Sequence, residues 1–171
     1  MTAVRVVAAP DKFRGTATAR EVAAAVARAA VAAGWECDEL PLADGGEGTL
    51  DALGGPNRTS LVTGPLGDPV EAEWRLHRRV AVVEMARASG LELVGGAEGN
   101  DALTASTFGT GELIAEAVEH GAERVLVTLG GSATTDGGLG ALRALHPVAR
   151  MRGVRITVAA DVRTRFVDAA E

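Results

Sequence analysis

Short apolar runs alternate with stretches of helical periodicity along much of this chain, and that alternation restricts the fold more than any other feature. Four of the runs are short and continuous, which is typical of buried strands: 5–9, 36–42, 124–129 and 154–160. Thr18 and Glu21 form a capping-box pattern ahead of apolar residues at helical spacing, and Gly34 ends that stretch. Strands that alternate with helices in this way predict a parallel sheet.

The middle of the chain follows a different pattern. Residues 58–63, 70–77 and 80–85 are predicted as strands. The run 70–77 nearly alternates polar and apolar side chains, as a half-exposed antiparallel strand does. Helical spacing returns after Phe108 and again from about Gly138. An antiparallel meander is therefore predicted between two regions of alternating strands and helices.

These patterns predict an α/β fold with a Rossmann- or flavodoxin-like parallel sheet, helices on both faces and an inserted α+β subdomain. We place a domain boundary near Asn57. Residues 1–56 are then the first part of a Rossmann-like α/β domain. Residues 57–171 are a second α/β domain that contains the meander and the glycine-rich loops.

Charge and composition restrict the classes of partner. The net charge is −6, aromatic residues make up 3% of the chain, and tyrosine is absent. Proteins that bind nucleic acid use basic surfaces and aromatic stacking, so we expect no nucleic-acid partner. The single cysteine, Cys37, rules out an internal disulfide and suits a reducing compartment. Because neither a membrane-spanning run nor a signal-peptide pattern is found, we expect a cytoplasmic protein without a membrane partner.

Four aspartates follow closely after the predicted buried strands. They are Asp11, Asp44, Asp136 and Asp161. If the four strands lie parallel in one sheet, these carboxylates gather at its carboxyl edge, where open α/β sheets bind their ligands. Aspartate is also an ordinary turn and capping residue, and that alternative stays open for each of the four.

Three loops lead into predicted helix N-termini, where free N–H groups and the helix dipole favour anions. The loop 11–16 carries two cations and a hydroxyl, and the loop 130–138 can wrap closely around a phosphate because glycine tolerates positive φ. A third loop begins at residue 106. With the turn after Asp44, the candidate substrate- or nucleotide-binding residues are Asp11, Arg14, Thr16, Gly45, Gly46, Glu47, Ser106, Thr107, Gly130, Gly131, Ser132 and Thr134. Glycine-rich turns are also common scaffolding before helices.

Carboxylates beside cations and an anion-binding loop point to phosphoryl transfer. That reaction needs a base or a Mg²⁺ ligand near the acceptor hydroxyl and positive groups around the phosphoryl group. Asp44 stands in the string Asp-Gly-Gly-Glu, whose glycines let a ligand approach. Neither a Walker A sequence nor a complete G-x-G-x-x-G is present, which argues against a P-loop enzyme and a standard dinucleotide binder.

Six segments of the chain resemble the class I glycerate kinases, and they occur in that family's order. The segments are 9–16, 41–49, 63–70, 84–91, 106–113 and 130–138. The resemblance implies ATP and Mg²⁺ as cosubstrates, D-glycerate as acceptor, and two α/β domains with a cleft between them. The candidate catalytic residues are then Asp44, Asp136 and Lys12, and the candidate Mg²⁺ ligands are Asp44, Asp136 and Asp161.

The chain departs from this family at Lys12, where many members carry serine, and at Arg14, where many carry lysine. Members of the family also continue well past residue 161, so we expect this chain to be the front part of a longer protein, incomplete relative to the family fold. The product is either 2- or 3-phosphoglycerate, and a homodimer is one expected assembly. The competing hypothesis is a non-catalytic nucleotide- or anion-binding module, which would have little use for Asp44, Glu47 and Asp136 beside the phosphate-binding loops.

Overall fold

A computed structural model of the protein describes residues 4–13 and 16–161. The described residues up to Asp44 form one compact unit, and those from Gly45 onward form a second. This division comes earlier in the chain than the predicted boundary near Asn57. The turn and the short helix that follow Asp44 therefore pack with the second unit.

The first unit is a single strand–helix–strand motif. Strand β1 (Arg5–Ala8) pairs in parallel with strand β2 (Glu36–Glu39), and helix α1 (Ala19–Ala32) connects them. The predicted capping box is confirmed, because Thr18 Oγ1 accepts a hydrogen bond from the N–H of Glu21 at 3.2 Å and the Glu21 carboxylate accepts one from the N–H of Thr18 at 2.8 Å. The parallel pairing brings the segments that follow β1 and β2 to the same end of this unit.

Among the described residues of the second unit, five strands form one mixed sheet in the order β3-β4-β5-β6-β7. They are β3 (Arg58–Thr63), β4 (Pro69–His77), β5 (Val80–Glu84), β6 (Arg124–Leu129) and β7 (Arg155–Ala160). Strand β4 is antiparallel to both β3 and β5, whereas β5, β6 and β7 run parallel to one another. The α/β fold class is confirmed, and so is the antiparallel meander, which shares its sheet with the parallel strands.

The helices of the second unit differ in how well the sequence predicts them. Helices α4 (Phe108–Glu119) and α5 (Leu139–Ala144) lie where helical spacing was found, and α2 (Thr49–Ala52) lies where the sequence predicts a short helix from about Thr49 to Leu53. Helix α3 (Ala86–Ser89) is a single turn too short to show a period. Two 3₁₀ turns, Leu91–Val94 and Val148–Met151, were also not predicted. Every helix in the described part of the chain is too short or too polar to cross a membrane.

The core of the second unit lies between the sheet and helix α4. Residues of this core include Val62, Trp74, Val83, Leu113 and Val125, each with less than a tenth of its surface exposed. Trp74 on β4 is fully buried, and its Nε1–H donates to the Ser60 hydroxyl at 2.9 Å. The alternating pattern of β4 thus turns its apolar side chains, rather than its charged ones, towards this core.

Helices α4 and α5 pack together at Gly111. A Cβ atom added to Gly111 would lie 2.5 Å from the carbonyl oxygen of Ala141 and 2.8 Å from the Cβ of Ala144. Glycine is therefore required at this position by the close approach of the two helices. The contact fixes α5, and with it the glycine-rich loop that precedes α5, relative to α4.

We expect Gly111→Ala to lower the free energy of unfolding of the second unit by about 1–3 kcal/mol, because the added methyl group overpacks a backbone contact. Chemical denaturation of the 171-residue chain measures the change. Glu116→Ala, at a partly exposed position of the same helix, is the matched control and should shift the value by less than about 0.5 kcal/mol. Equal stability of the two variants would contradict the close packing at Gly111.

Candidate functional site

The structure brings Lys12 and Asp44 together in the first unit. The parallel pairing of β1 and β2 continues beyond the strands, since Leu42 N–H donates to the Pro10 carbonyl at 2.9 Å. This extension places the Lys12 ammonium 3.1 Å from Asp44 Oδ1, with 16% of the lysine side chain and 36% of the aspartate side chain exposed. Two of the predicted catalytic residues are thus one ion pair at the carboxyl end of two parallel strands.

The other predicted residues of this unit contribute less. Asp11 is exposed, and its carboxylate accepts a hydrogen bond from the N–H of Lys12 at 2.6 Å, as a turn residue does. Thr16 is exposed, and its N–H donates to the Phe13 carbonyl at 2.9 Å. Arg14 lies outside the described residues. Among the residues predicted here, Lys12 and Asp44 therefore carry the strongest geometric support.

The four aspartates do not follow the strands of one sheet. The strands before Asp11 and Asp44 form the two-stranded sheet of the first unit, whereas those before Asp136 and Asp161 belong to the five-stranded sheet. The condition for a single shared sheet edge is therefore not met among the described residues, because β6 lies between β5 and β7 while β1 pairs with β2. Asp161 follows β7 directly and is exposed.

In the second unit, the turn after Asp44 packs against the end of β6. A Cβ atom on Gly130 would collide with the backbone of Gly46, and one on Gly131 would collide with the Glu47 carboxylate. Gly45 has a φ of 99°, and a Cβ there would lie 3.3 Å from the carbonyl oxygen of Ala159 on β7. The two glycine-rich segments therefore meet backbone to backbone, and this contact places the Glu47 carboxylate beside Gly131.

Asp136 is enclosed by hydrogen-bond donors from both helices at the end of its loop. Its carboxylate accepts from the N–H and the hydroxyl of Thr107, both at 2.8 Å, at the start of α4. It also accepts from the N–H of Gly138 at 2.9 Å and that of Gly140 at 3.0 Å, at the start of α5. The side chain thus joins the beginnings of two helices, which is the arrangement of a structural cap.

The hydrogen bonds to Asp136 affect the pKa of its carboxyl group more than its burial does. Burial raises the pKa of this carboxyl group, but the bonds from the Thr107 and Gly138 amides, the Thr107 hydroxyl and the Gly140 amide together lower it further, so the pKa lies below its ordinary value. Asp136 is therefore charged at neutral pH. Its negative charge is stabilised by hydrogen-bond donors of the protein itself.

The hydroxyl groups predicted to bind phosphate are also used within the protein. Thr107 Oγ1 accepts from the N–H of Ala141 at 2.9 Å in addition to its bond with Asp136, and Thr134 Oγ1 donates to the Ala105 carbonyl at 2.6 Å. Ser106 Oγ accepts from the N–H of Phe108 at 3.2 Å. The hydroxyl of Ser132 donates to the carbonyl oxygen of Thr134 at 3.0 Å. These bonds hold the loop in one conformation.

The opposite side of the glycine-rich loop is held by the segment after β5. The N–H of Leu91 donates to the Gly131 carbonyl at 2.7 Å, and the N–H of Ala133 donates to the Ser89 carbonyl at 3.0 Å. These two bonds form an antiparallel bridge between Gly90 and Ser132. The loop is therefore preorganised on both sides, which suits either a phosphate cradle or a tight strand-to-helix turn.

Sequence reasoning did not single out Glu84 or Arg87. Glu84 is a fully buried carboxylate at the end of β5, and Arg87 pairs with it at 3.2 Å. The two residues help to line a cavity of about 500 Å³, together with Glu47, Thr59, Glu73 and Leu93. The sequence did hold a signal for these two residues: Glu84 is the single charged residue in the apolar run 80–86, and Arg87 follows it by three residues.

The carboxylates differ in how well they suit Mg²⁺, which binds proteins through one or two carboxylate oxygens and completes its shell with water and phosphate. Asp44 is a partly exposed carboxylate, which fits that use. Asp136 fits poorly, because both of its oxygens already accept hydrogen bonds from protein N–H groups. Within residues 4–13 and 16–161, no group of three or more His, Cys, Asp or Glu side chains is placed to hold a metal ion.

We expect Asp136→Asn to lower the free energy of unfolding by about 1–3 kcal/mol at pH 7, since a charged acceptor of several N–H bonds is replaced by an amide. The stability that a lowered carboxyl pKa contributes is complete above the ordinary aspartate value of about 3.9 and is lost as pH falls through the lower folded value. The difference in free energy of unfolding between the wild type and Asp136→Asn should therefore narrow below about pH 4. Urea unfolding of both proteins between pH 2 and 8 measures this difference.

The exposed Asp68 in the turn between β3 and β4 provides the control for this experiment. Asp68→Asn should change the free energy of unfolding at pH 7 by less than about 0.5 kcal/mol. A gap between wild type and Asp136→Asn that stays constant down to pH 2 would contradict the role of the Asp136 charge.

Comparisons with known proteins identify the family. The model of the glycerate kinase family matches residues 6–149. A protein of Bacillus subtilis (strain 168) named glycerate kinase is 46% identical over 150 residues, which cover 83% of this chain and 39% of the relative. A glycerate 2-kinase of Escherichia coli (strain K12) is 43% identical over 150 residues, with the same coverage of 83% and 39%.

The structural comparison agrees. A solved structure from Salmonella typhimurium LT2, assigned as glycerate kinase 2, superposes with a TM-score of 0.65 at 40% identity over 84% of this chain and 40% of that one. This chain spans about two fifths of the length of these relatives. Because the family model covers most of the sequence, the chain belongs to the glycerate kinase family.

Proposed function

We propose that the whole protein to which this sequence belongs transfers the γ-phosphoryl group of ATP to a hydroxyl group of D-glycerate. The observation that carries the proposal is the ion pair between Lys12 and Asp44. It lies at the carboxyl end of two parallel strands, where α/β proteins bind their ligands, and within the region that matches the glycerate kinase family. Family membership supports the reaction class, and the ion pair supports the location of the chemistry.

In this proposal Asp44 acts on the glycerate hydroxyl, either by accepting its proton or by holding Mg²⁺. The hydroxyl oxygen forms a bond to the γ-phosphorus, the bond from that phosphorus to the bridging oxygen breaks, and ADP leaves with the bonding electrons. When bound, Mg²⁺ neutralises charge that develops on the phosphate oxygens. Lys12 supports the reaction in two ways: it orients the Asp44 carboxylate at 3.1 Å, and it places a positive charge beside the reacting groups.

The proposal gives Asp136 a supporting role. The Thr107, Gly138 and Gly140 donors that surround its carboxylate favour a residue that shapes the glycine-rich loop over one that accepts a proton or holds Mg²⁺. The loop then presents its first residues, Gly130 to Ser132, at the end of β6. Whether these residues contact a phosphate stays a prediction, as do the homodimer and the cytoplasmic location.

The position of the transferred phosphoryl group needs its own measurement. One relative at 43% identity is named glycerate 2-kinase, whereas the one at 46% is named only glycerate kinase. We therefore test the activity with ATP, Mg²⁺ and D-glycerate, and separate 2-phosphoglycerate from 3-phosphoglycerate by ³¹P NMR. The 171-residue chain and a full-length version are assayed side by side. Binding of ATP without any phosphoglycerate in either protein would support the alternative of a non-catalytic module.

We expect Asp44→Asn to reduce kcat of the full-length enzyme by about two orders of magnitude or more, which is the scale of lost acid–base or metal-binding groups. Thermal unfolding should change little because this carboxylate is partly exposed. Asp38→Asn is the matched control, since Asp38 is an exposed aspartate of the same unit that pairs with Arg5 at 2.8 Å. Near-normal turnover in Asp44→Asn would remove Asp44 from the reacting centre.

A separate prediction concerns the charge of Lys12. Lys12→Ala should lower kcat or raise the KM for ATP by about tenfold or more, because a preorganised positive charge beside the phosphoryl group is lost. Lys12→Arg keeps the charge but not the compact ammonium geometry, so it should recover part of the activity. Steady-state kinetics with varied ATP and varied D-glycerate separate the two effects. Unchanged kinetics in Lys12→Ala would show that the ion pair is only structural.

A further inference from the structure

The carboxylate of Glu84 holds the end of the turn that follows Asp44. Glu84 ends strand β5, and 1% of the residue is exposed. Its Oε2 accepts the N–H of Leu50 at 2.8 Å, and its Oε1 lies 3.4 Å from the N–H of Gly48. Both donors belong to the start of α2, where backbone N–H groups have no partner within the helix. A buried side chain of the sheet therefore fixes the backbone of residues 48–50.

Arg87 completes the surroundings of Glu84. Its Nε lies 3.2 Å from Glu84 Oε1, and its two terminal nitrogens reach Glu73 on β4 at 2.8 Å and Asp51 in α2 at 3.0 Å. One guanidinium group thus pairs with three carboxylates from three different elements. A buried carboxylate needs such a partner, because desolvation of an unpaired charge is costly. The pairing makes Glu84 a fixed point between β5, α2 and α3.

The two ends of the turn are held by different contacts, and Glu47 lies between them. At the first end, Gly46 packs against the backbone of Gly130. At the other end, Glu84 holds Gly48 and Leu50. Within the turn, the Thr49 hydroxyl donates to the Gly46 carbonyl at 2.7 Å and closes it. These anchors hold the backbone on both sides of Glu47, whose carboxylate lies beside Gly131.

We propose that Glu84 is a positioning residue that sets the Glu47 carboxylate against the glycine-rich loop, an inference that rests on the proposed function. Glu84 acts through the backbone of residues 48–50 and through Arg87, and it does not touch the reacting atoms. Its charge matters because two N–H groups and a guanidinium converge on it. A neutral amide of the same shape turns an N–H₂ group towards one of these donors, which loosens the turn.

The test is a double-mutant cycle in the full-length enzyme with Glu84→Gln and Glu47→Gln. If Glu84 acts by placing Glu47, the single substitutions each lower kcat/KM by about tenfold to a hundredfold, and the double variant is no worse than the poorer single one. Glu84→Asp, which keeps the charge but shortens the side chain, should retain more activity than Glu84→Gln. Losses that multiply in the double variant overturn the proposal.

Two control variants separate positioning from loss of stability. Val118→Ala weakens the packing of α4 against the core at the end of the helix opposite Thr107, and at an equal loss of Tm it should retain its kinetics. Glu92→Gln changes an exposed carboxylate that lines the same cavity and should also leave kcat/KM unchanged. If Val118→Ala lowers kcat/KM as much as Glu84→Gln does at equal Tm, the effect of Glu84 is stability alone and the proposal fails.

A measurement without catalysis keeps this proposal distinct from the proposed function. Amide hydrogen exchange by NMR on the 171-residue chain reports the protection of the Gly48 and Leu50 N–H groups. Glu84→Gln should speed exchange at these two amides by at least tenfold while amides of β6 keep their protection. Unchanged exchange at Leu50 overturns the anchoring role even in an active enzyme. Absence of phosphoryl transfer in the wild-type enzyme, with faster exchange in Glu84→Gln, overturns the proposed function and leaves the anchoring intact.

Discussion

The backbone contact between Gly46 and Gly130 is the constraint on which the arrangement of the second unit depends most. No side chain fits at position 130, because a Cβ on Gly130 would collide with the Gly46 backbone. The contact brings the turn that carries Glu47 to the end of β6, where the glycine-rich loop begins. Two further anchors, the Glu84 carboxylate and the bridge between Gly90 and Ser132, hold the same region.

Carboxylates in this protein serve two different purposes, and their surroundings tell them apart. Asp136 and Glu84 receive hydrogen bonds from backbone N–H groups of segments distant in sequence and hold those segments in place. Asp44 is partly exposed and is paired with the ammonium group of Lys12. A carboxylate committed to several N–H donors has little capacity left for a substrate proton or a metal ion, whereas a partly exposed one can meet a ligand. Burial and donor count thus separate architectural carboxylates from the candidate at the reacting centre.

Periodicity predicted most of the strands and the longer helices because these patterns are local. The run 70–77 alternates, and the structure confirms an antiparallel strand with Trp74 on its buried face. The capping box at Thr18 was predictable for the same reason, since its two partners are three residues apart. The single-turn helix α3 was not predicted, because four residues cannot show a helical period. The division of the parallel strands between two sheets was also not predicted, because parallel strands look alike in sequence whether they share one sheet or lie in two.

By itself the sequence determined the fold class and the family, because both depend on short-range patterns and on motifs that stand intact in the chain. Which aspartates would share a sheet edge, and which would be used as caps, was decided by the tertiary structure. The donors of Asp136 include Thr107, 29 residues away, and the donor to Glu84 is Leu50, 34 residues away. A hydrogen bond over such separations exists only once strands and helices have packed, so no local pattern can specify it.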